Sequence, residues 1–201
     1  ELLNPDQKAV YDADIRSNLS VKAGPGTGKT HTLVLRVARL IQQEHIAPGR
    51  ILVLAYNRAV VEELKRRLKQ LFTELGYHSL SRTLKVQTFH GLMYSVLNQN
   101  GIEGVPMENV QDRFQQLMQK RGREALGTYR EVEFVFVDEF QDITSLRLAT
   151  LRAVAPFGAA YVSVIGDPNQ SIYGYERVAN NPQGNIAPGP YYWMFNEIYQ
   201  P

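Results

Sequence analysis

Apolar residues along this chain follow two rhythms. Ile51-Leu52-Val53-Leu54-Ala55 and Phe134-Val135-Phe136-Val137 run without a polar break, and Ala160 to Ile165 nearly so. Short unbroken runs of this kind suit strands of a parallel sheet covered on both faces. Between them the spacing changes: Val60, Leu64, Leu68, Leu71 and Leu75 recur every three or four positions until Gly76 stops the pattern, as one face of a helix does. The chain therefore predicts strands over 18–21, 51–55, 84–87, 133–137 and 160–165. Helices are predicted over 31–43, 59–75, from Thr88 onward with Leu92, Val96 and Leu97, over 107–120 with Val110, Phe114, Leu117 and Met118 on one side, and over 145–154. Strands alternating with helices predict an α/β domain, a parallel sheet with helices on both faces. That domain is expected to occupy residues 1–179, and residues 180–201 read as an irregular, aromatic-rich tail containing Tyr191-Tyr192-Trp193-Met194-Phe195.

Composition narrows the setting. No apolar run approaches the ~20 residues a membrane span needs, and Glu1-Leu2-Leu3-Asn4-Pro5 has no secretory-signal pattern. There are no cysteines, which excludes disulfides and thiolate metal sites. The expectation is a cytoplasmic protein with no membrane partner. Net charge is +2, too small to indicate nucleic acid by itself. The basic residues cluster at Lys65-Arg66-Arg67-Lys69 and at Lys120-Arg121-Arg123, patterns that solvated helix faces also show.

The candidate chemistry sits where predicted strands end. Ala23-Gly24-Pro25-Gly26-Thr27-Gly28-Lys29-Thr30 lies between a strand and a helix. Its small residues let backbone N–H groups turn inward around a phosphate, with the helix N-terminus aimed at the same anion. Lys29 would reach the β- and γ-phosphates, and the Thr30 hydroxyl would hold Mg²⁺. Ala23 stands where the strict pattern has Gly. His31 follows the loop and is counted with it by position, although nothing in its residue type requires more than a structural role. About 110 residues on, a buried strand ends in Asp138-Glu139. Asp138 is placed to share the metal with Thr30, and Glu139 is the candidate general base for an attacking water. The four histidines suggest no metal cage.

With these motifs in view, the chain resembles the first RecA-like domain of superfamily 1 DNA helicases of the UvrD/Rep/PcrA type. Five stretches match in order: Leu3-Asn4-Pro5-Asp6-Gln7, the loop 23–30, Thr88-Phe89-His90-Gly91, Asp138-Glu139-Phe140-Gln141-Asp142, and Gly166-Asp167-Pro168-Asn169-Gln170-Ser171-Ile172-Tyr173. The resemblance implies that Gln7 recognises adenine and that Gln170 senses the γ-phosphate. It also implies that Asn57, Arg58, Thr88, Phe89, His90, Tyr173 and Tyr175 face single-stranded DNA or a single-strand/duplex junction. By residue type alone, His90 could equally cap its helix, and the two tyrosines could be core or rim aromatics. The implied activity is ATP hydrolysis coupled to movement on DNA, with 3′-to-5′ polarity. The implied cofactors are ATP and Mg²⁺, and the implied partner is a second RecA-like domain supplying arginines.

The chain departs from the family pattern in several places. Ala55 replaces an expected aromatic, and Glu176-Arg177-Val178 replaces Arg-Gly-Ala. Residues 100–130 are shorter than the family's usual insertion and read as a reduced helical version of it. The chain ends at Pro201, so it is expected to be part of a longer motor, poorly active when isolated. A catalytically silent, nucleotide-dependent DNA-binding or regulatory module shares the same motifs and stays open as the alternative. A P-loop kinase is disfavoured by the Asp-Glu-x-Gln-Asp box and the Gln170 segment.

Overall fold

The computed structural model describes residues 3–77, 83–167 and 170. Five strands, β1 (Leu19–Lys22), β2 (Ile51–Ala55), β3 (Lys85–Thr88), β4 (Phe134–Val137) and β5 (Tyr161–Gly166), form one sheet in the order β1-β5-β4-β2-β3. Every pairing is parallel, with Val21 opposite Ile165, Phe136 opposite Ser163, and Val53 opposite both Phe136 and Val86.

The unbroken apolar runs follow from cover on both faces. Ile51, Val53, Phe134, Phe136 and Ile165 turn toward one helical layer, built from Leu33, Val37 and Leu40 of α2 (Lys29–Gln42) and Leu64, Leu68 and Phe72 of α3 (Arg58–Glu74). Their neighbours Leu52, Leu54, Val135, Val137, Val162 and Val164 turn to the opposite layer, formed by α4 (Phe89–Gln99), α5 (Val110–Arg121) and α6 (Ser145–Val154). Successive side chains of a strand point to opposite faces, so strands loaded on both sides carry no polar alternation. Ser163 is the buried exception.

Residues 110–129 join the second layer directly. Val110, Phe114 and Leu117 of α5, and Ala125, Leu126 and Tyr129 of the 3₁₀ turns after it, are buried in the same core as the sheet. Most side chains of the two basic clusters are engaged within the fold. On α3, Lys65 pairs with Glu62, while Arg66 and Arg67 both hold Glu63 at 2.8 and 2.6 Å, which keeps the Glu63 carboxyl down at about 2. Arg121 donates to Asn100 Oδ1, and Arg123 to the carbonyls of Val154 and Arg130.

One helix has no counterpart in the apolar pattern. α1 (Pro5–Asp12) buries none of its residues, so no periodicity announces it. Polar contacts hold it instead. Asn4 and Gln7 make a reciprocal capping box at its start. At its other end Arg36 of α2, only 2 % exposed, donates to the carbonyls of Val10, Tyr11, Ala13 and Asp14 at 2.7–3.4 Å. Arg39 adds bonds to Tyr11 and Ala13 and sits 5.6 Å over the Tyr11 ring. A guanidinium there meets the exposed carbonyls and the negative end of a helix dipole together. Arg36→Met is expected to lower unfolding free energy by about 3 kcal/mol, because the buried guanidinium's part-buried hydrogen bonds to four carbonyls are lost together. A urea-unfolding midpoint unchanged in that variant would remove the clamp from the account.

Candidate nucleotide site and its strand-end neighbours

In a parallel sheet all strands run the same way, so their carboxyl ends share one edge, where such sheets place ligands. The sheet order divides the candidate residues along that edge. The loop after β1, Gly166-Asp167 at the end of β5 and Asp138-Glu139 after β4 lie on successive strands, while Tyr56–Arg58 after β2 and Thr88–His90 at the end of β3 lie beyond.

The loop leaves β1 with the Ala23 N–H donating to the Gly166 carbonyl at 3.0 Å. It is braced by the Thr27 hydroxyl on the Gly24 carbonyl, 2.8 Å. Gly28 caps α2 at φ +81°, the left-handed region, and a Cβ there would lie 2.6 Å from Gln7 Nε2. Only glycine satisfies both demands. The Gln7 carboxamide donates to the Thr27 carbonyl at 2.9 Å and accepts from Asn4 N at 3.1 Å. An amide has two N–H donors and two lone pairs, so it can read a base edge without breaking either bond. A cavity of about 560 Å³ opens between α1, β1 and the loop, lined among others by Gln7, Val10, Ser20, Ala23, Lys29 and Thr32, a size suited to a nucleotide. His31 lies elsewhere, in a groove beside Arg66 and Arg67 of α3.

The two halves of the site meet across more than a hundred residues. Lys29 Nζ stands 3.3 Å from Glu139 Oε2, with the lysine side chain 9 % exposed. The Thr30 hydroxyl donates to Asp138 Oδ2 at 3.4 Å. Asp138 is buried, and that burial, reinforced by the charge of Glu139, pushes its carboxyl up to about 6. A divalent cation bound there would offset both causes. The donor set, one hydroxyl and one carboxylate, is the all-oxygen kind that suits Mg²⁺, so the residues present fit that ion.

Glu139 adopts φ +51°, a left-handed conformation that costs a non-glycine residue of order 1 kcal/mol or more. Its N–H donates to Asp138 Oδ1 at 2.9 Å, and its carboxylate is held by Gln141, which the sequence places in the acidic box without a role. Gln141 is 3 % exposed; its Nε2 donates to Glu139 Oε2 at 2.7 Å and its Oε1 accepts from Asp167 N at 3.0 Å. A Cβ on Gly166 would come within 2.4 Å of that same Oε1. Gln141 thus ties the carboxylate after β4 to the chain leaving β5, where Gln170 is exposed and its N–H bonds to the Asp167 carbonyl. Nothing local in the sequence marks this link, which exists only because β4 and β5 are neighbours.

Among the residues assigned to DNA, Asn57 caps α3 through Val60 N, with Arg58 exposed beside it. Thr88, not His90, caps α4 through Gly91 N at 3.0 Å. His90 is half-buried near Arg147, and burial with that neighbouring charge lowers its pKa. Phe89 is 3 % exposed and belongs to the core. Tyr173 and Tyr175 lie outside the described residues.

The model for the "UvrD/REP helicase N-terminal domain" matches residues 3–130 and 109–183. The chain is 38% identical over 99 residues to the ATP-dependent DNA helicase SRS2 of Saccharomyces cerevisiae, covering 49% of this chain and 8% of that protein. It is 38% identical over 96 residues to DNA helicase II of Escherichia coli, covering 47% and 12%, and 36% identical over 107 residues to DNA helicase IV of the same organism, covering 52% and 14%. The chain therefore spans only a small part of these relatives. In fold it is similar to the Pif1 helicase from Candida albicans, at TM-score 0.52 and 19% identity, over 83% of this chain and 33% of that one.

Proposed function

This chain belongs to the UvrD/REP helicase N-terminal domain family, and from that premise we propose that it is the ATP-binding half of a motor that couples ATP hydrolysis to 3′-to-5′ movement on single-stranded DNA. The observation that carries the proposal is the convergence of Lys29 on Glu139 and of Thr30 on Asp138, at 3.3 and 3.4 Å. The loop amides and Lys29 bind the β- and γ-phosphates, and the Gln7 carboxamide reads the adenine edge. Thr30 and Asp138 are the residues that would hold Mg²⁺, which when bound supplies neutralisation of phosphate charge. Lys29 exchanges its contact with Glu139 for the phosphates. Glu139 stays in place on Gln141 and accepts the proton of the attacking water, and Gln170 lies on the segment that reports the γ-phosphate.

In this reading the other wall of the cleft is a second RecA-like domain that supplies arginines, worth roughly 10³ to 10⁵ in rate in related phosphoryl transfer. The test is ATP turnover with and without oligothymidylate, in the isolated chain and in a protein carrying both domains. Turnover stimulated by DNA only in the two-domain protein supports the reading. Strong stimulation in the isolated chain, or none in either, overturns it.

A further inference from the structure

We propose that Arg36 is a positioning residue for the base of the bound nucleotide and not for its phosphates, an inference that rests on the adenine reading proposed for Gln7. Gln7 stands on α1, and that helix with its cap supplies one wall of the cavity beside the loop, through Asn4, Asp6, Gln7, Ala9 and Val10. No residue of α1 is buried, so its docking is polar. Near its start the Gln7 carboxamide donates to the Thr27 carbonyl of the loop at 2.9 Å. At its far end the Arg36 guanidinium gathers the carbonyls of Val10, Tyr11, Ala13 and Asp14. Arg39 repeats two of these contacts and also pairs with Glu44, while Gln43 reaches the Tyr11 hydroxyl. Arg36 is the strongest of the three holds, because at 2 % exposed it is the one that water replaces worst.

The phosphate end of the site has a different anchor. Leu33, Val37 and Leu40 of α2 are at most 1 % exposed, packed against the sheet. The loop is tied to β5 through the Ala23 N–H on the Gly166 carbonyl, and Lys29 to β4 through Glu139. None of these contacts passes through α1. Lys29 and Arg36 lie on one helix, about two turns apart, so α2 fixes the separation between the group that meets phosphate and the group that holds the base-reading helix. A nucleotide presents its base and its phosphates at a span set by the ribose between them. Loss of Arg36 therefore frees α1, and with it the Gln7 carboxamide, while the core keeps Lys29 and Thr30 in place.

The test titrates ATP, GTP and inorganic tripolyphosphate, each with Mg²⁺, into the unmodified chain, Gln7→Ala and Arg36→Met, followed by calorimetry. Arg36→Met is expected to bind ATP about 3- to 10-fold more weakly, the worth of one net hydrogen bond, and to bring the ATP and GTP affinities together. Its affinity for tripolyphosphate, which carries no base, should be unchanged. Adding Gln7→Ala to Arg36→Met should cost nothing further, because both changes remove the same contact. An arginine that only stabilised the fold would lower ATP and tripolyphosphate affinity in parallel, and that result overturns the proposal. If Arg36→Met does not fold, Arg36→Lys is read by the same ratio, since an ammonium keeps the charge but loses the planar fork that spans several carbonyls. If neither variant folds, Arg36 supports the whole domain and not α1 alone, and the proposal falls. A Gln7→Ala chain that still prefers ATP to GTP sinks the adenine reading and this inference with it. A preference lost in Gln7→Ala but kept in Arg36→Met sinks this inference alone.

Discussion

Lys29→Ala is expected to weaken ATP binding at least about 30-fold, beyond detection by calorimetry at ordinary protein concentrations. Truncating one member of a buried, hydrogen-bonded charge pair costs about 2–5 kcal/mol, and 2 kcal/mol corresponds to that factor. Two features put Lys29 at the upper end. Its side chain is 9 % exposed, so water replaces it poorly, and its loss leaves Glu139 facing the arriving phosphates with no cation between them. The remaining attraction comes from the loop amides and the N-terminus of α2, a partial charge of roughly half a unit. Lys29→Arg makes a useful companion, because it keeps the charge while adding a fork the loop is not shaped to hold. Unchanged ATP affinity in Lys29→Ala would falsify the phosphate-loop assignment.

Glu139→Gln is expected to leave ATP affinity within a few-fold of the parent and to lower the hydrolytic rate of the two-domain protein by about 10² to 10⁴, the usual worth of a positioned general base. The amide keeps the shape of the carboxylate but cannot accept a proton. It also gives up the ion pair with Lys29, which frees the ammonium for phosphate, so tighter nucleotide binding is compatible with the role. Gln141→Leu separates placement from chemistry. It removes the 2.7 Å bond to Glu139 and the 3.0 Å bond from Asp167 while leaving every group that meets nucleotide. Its signature is a lowered kcat at nearly constant KM, with a weakened response to DNA. A Glu139→Gln protein that hydrolyses ATP at the parental rate would move the base elsewhere on the edge.

The legible and illegible parts of the sequence divide along physical lines. Ile51 to Ala55 and Phe134 to Val137 are readable as two-faced strands because burial on both sides leaves an unbroken apolar run. Asn57 and Thr88 mark helix starts because a short polar side chain is what an N-cap needs. The phosphate loop is readable because glycines at 26 and 28, with Lys29 and Thr30, form a local unit. α1 shows no apolar periodicity and is marked locally only by its Asn4–Gln7 capping box, because what ties it to the fold is Arg36 and Arg39, more than twenty residues away. The basic clusters were ambiguous because sequence does not say whether Glu62 and Glu63 hold them. The burial of Phe89 is not legible in its motif because one turn of helix decides whether a ring faces the core or the surface.

The sequence by itself determined the strands, the helices other than α1, their alternation and the candidate phosphate-binding loop, since these depend on residues within a few positions of one another. The tertiary structure alone decided what stands beside what. Placing β5 beside β1 and β4 beside β5 brings Asp138 and Glu139 to Lys29 and Thr30, and sets Gln141 between Glu139 and Asp167. The same order carries Tyr56 and Arg147 to the far side of β4, against each other. Hydrogen-bond pairing of strands is generic in the backbone, and the side chains that fix the strand order are spread over both helical layers. No local run of residues records that order.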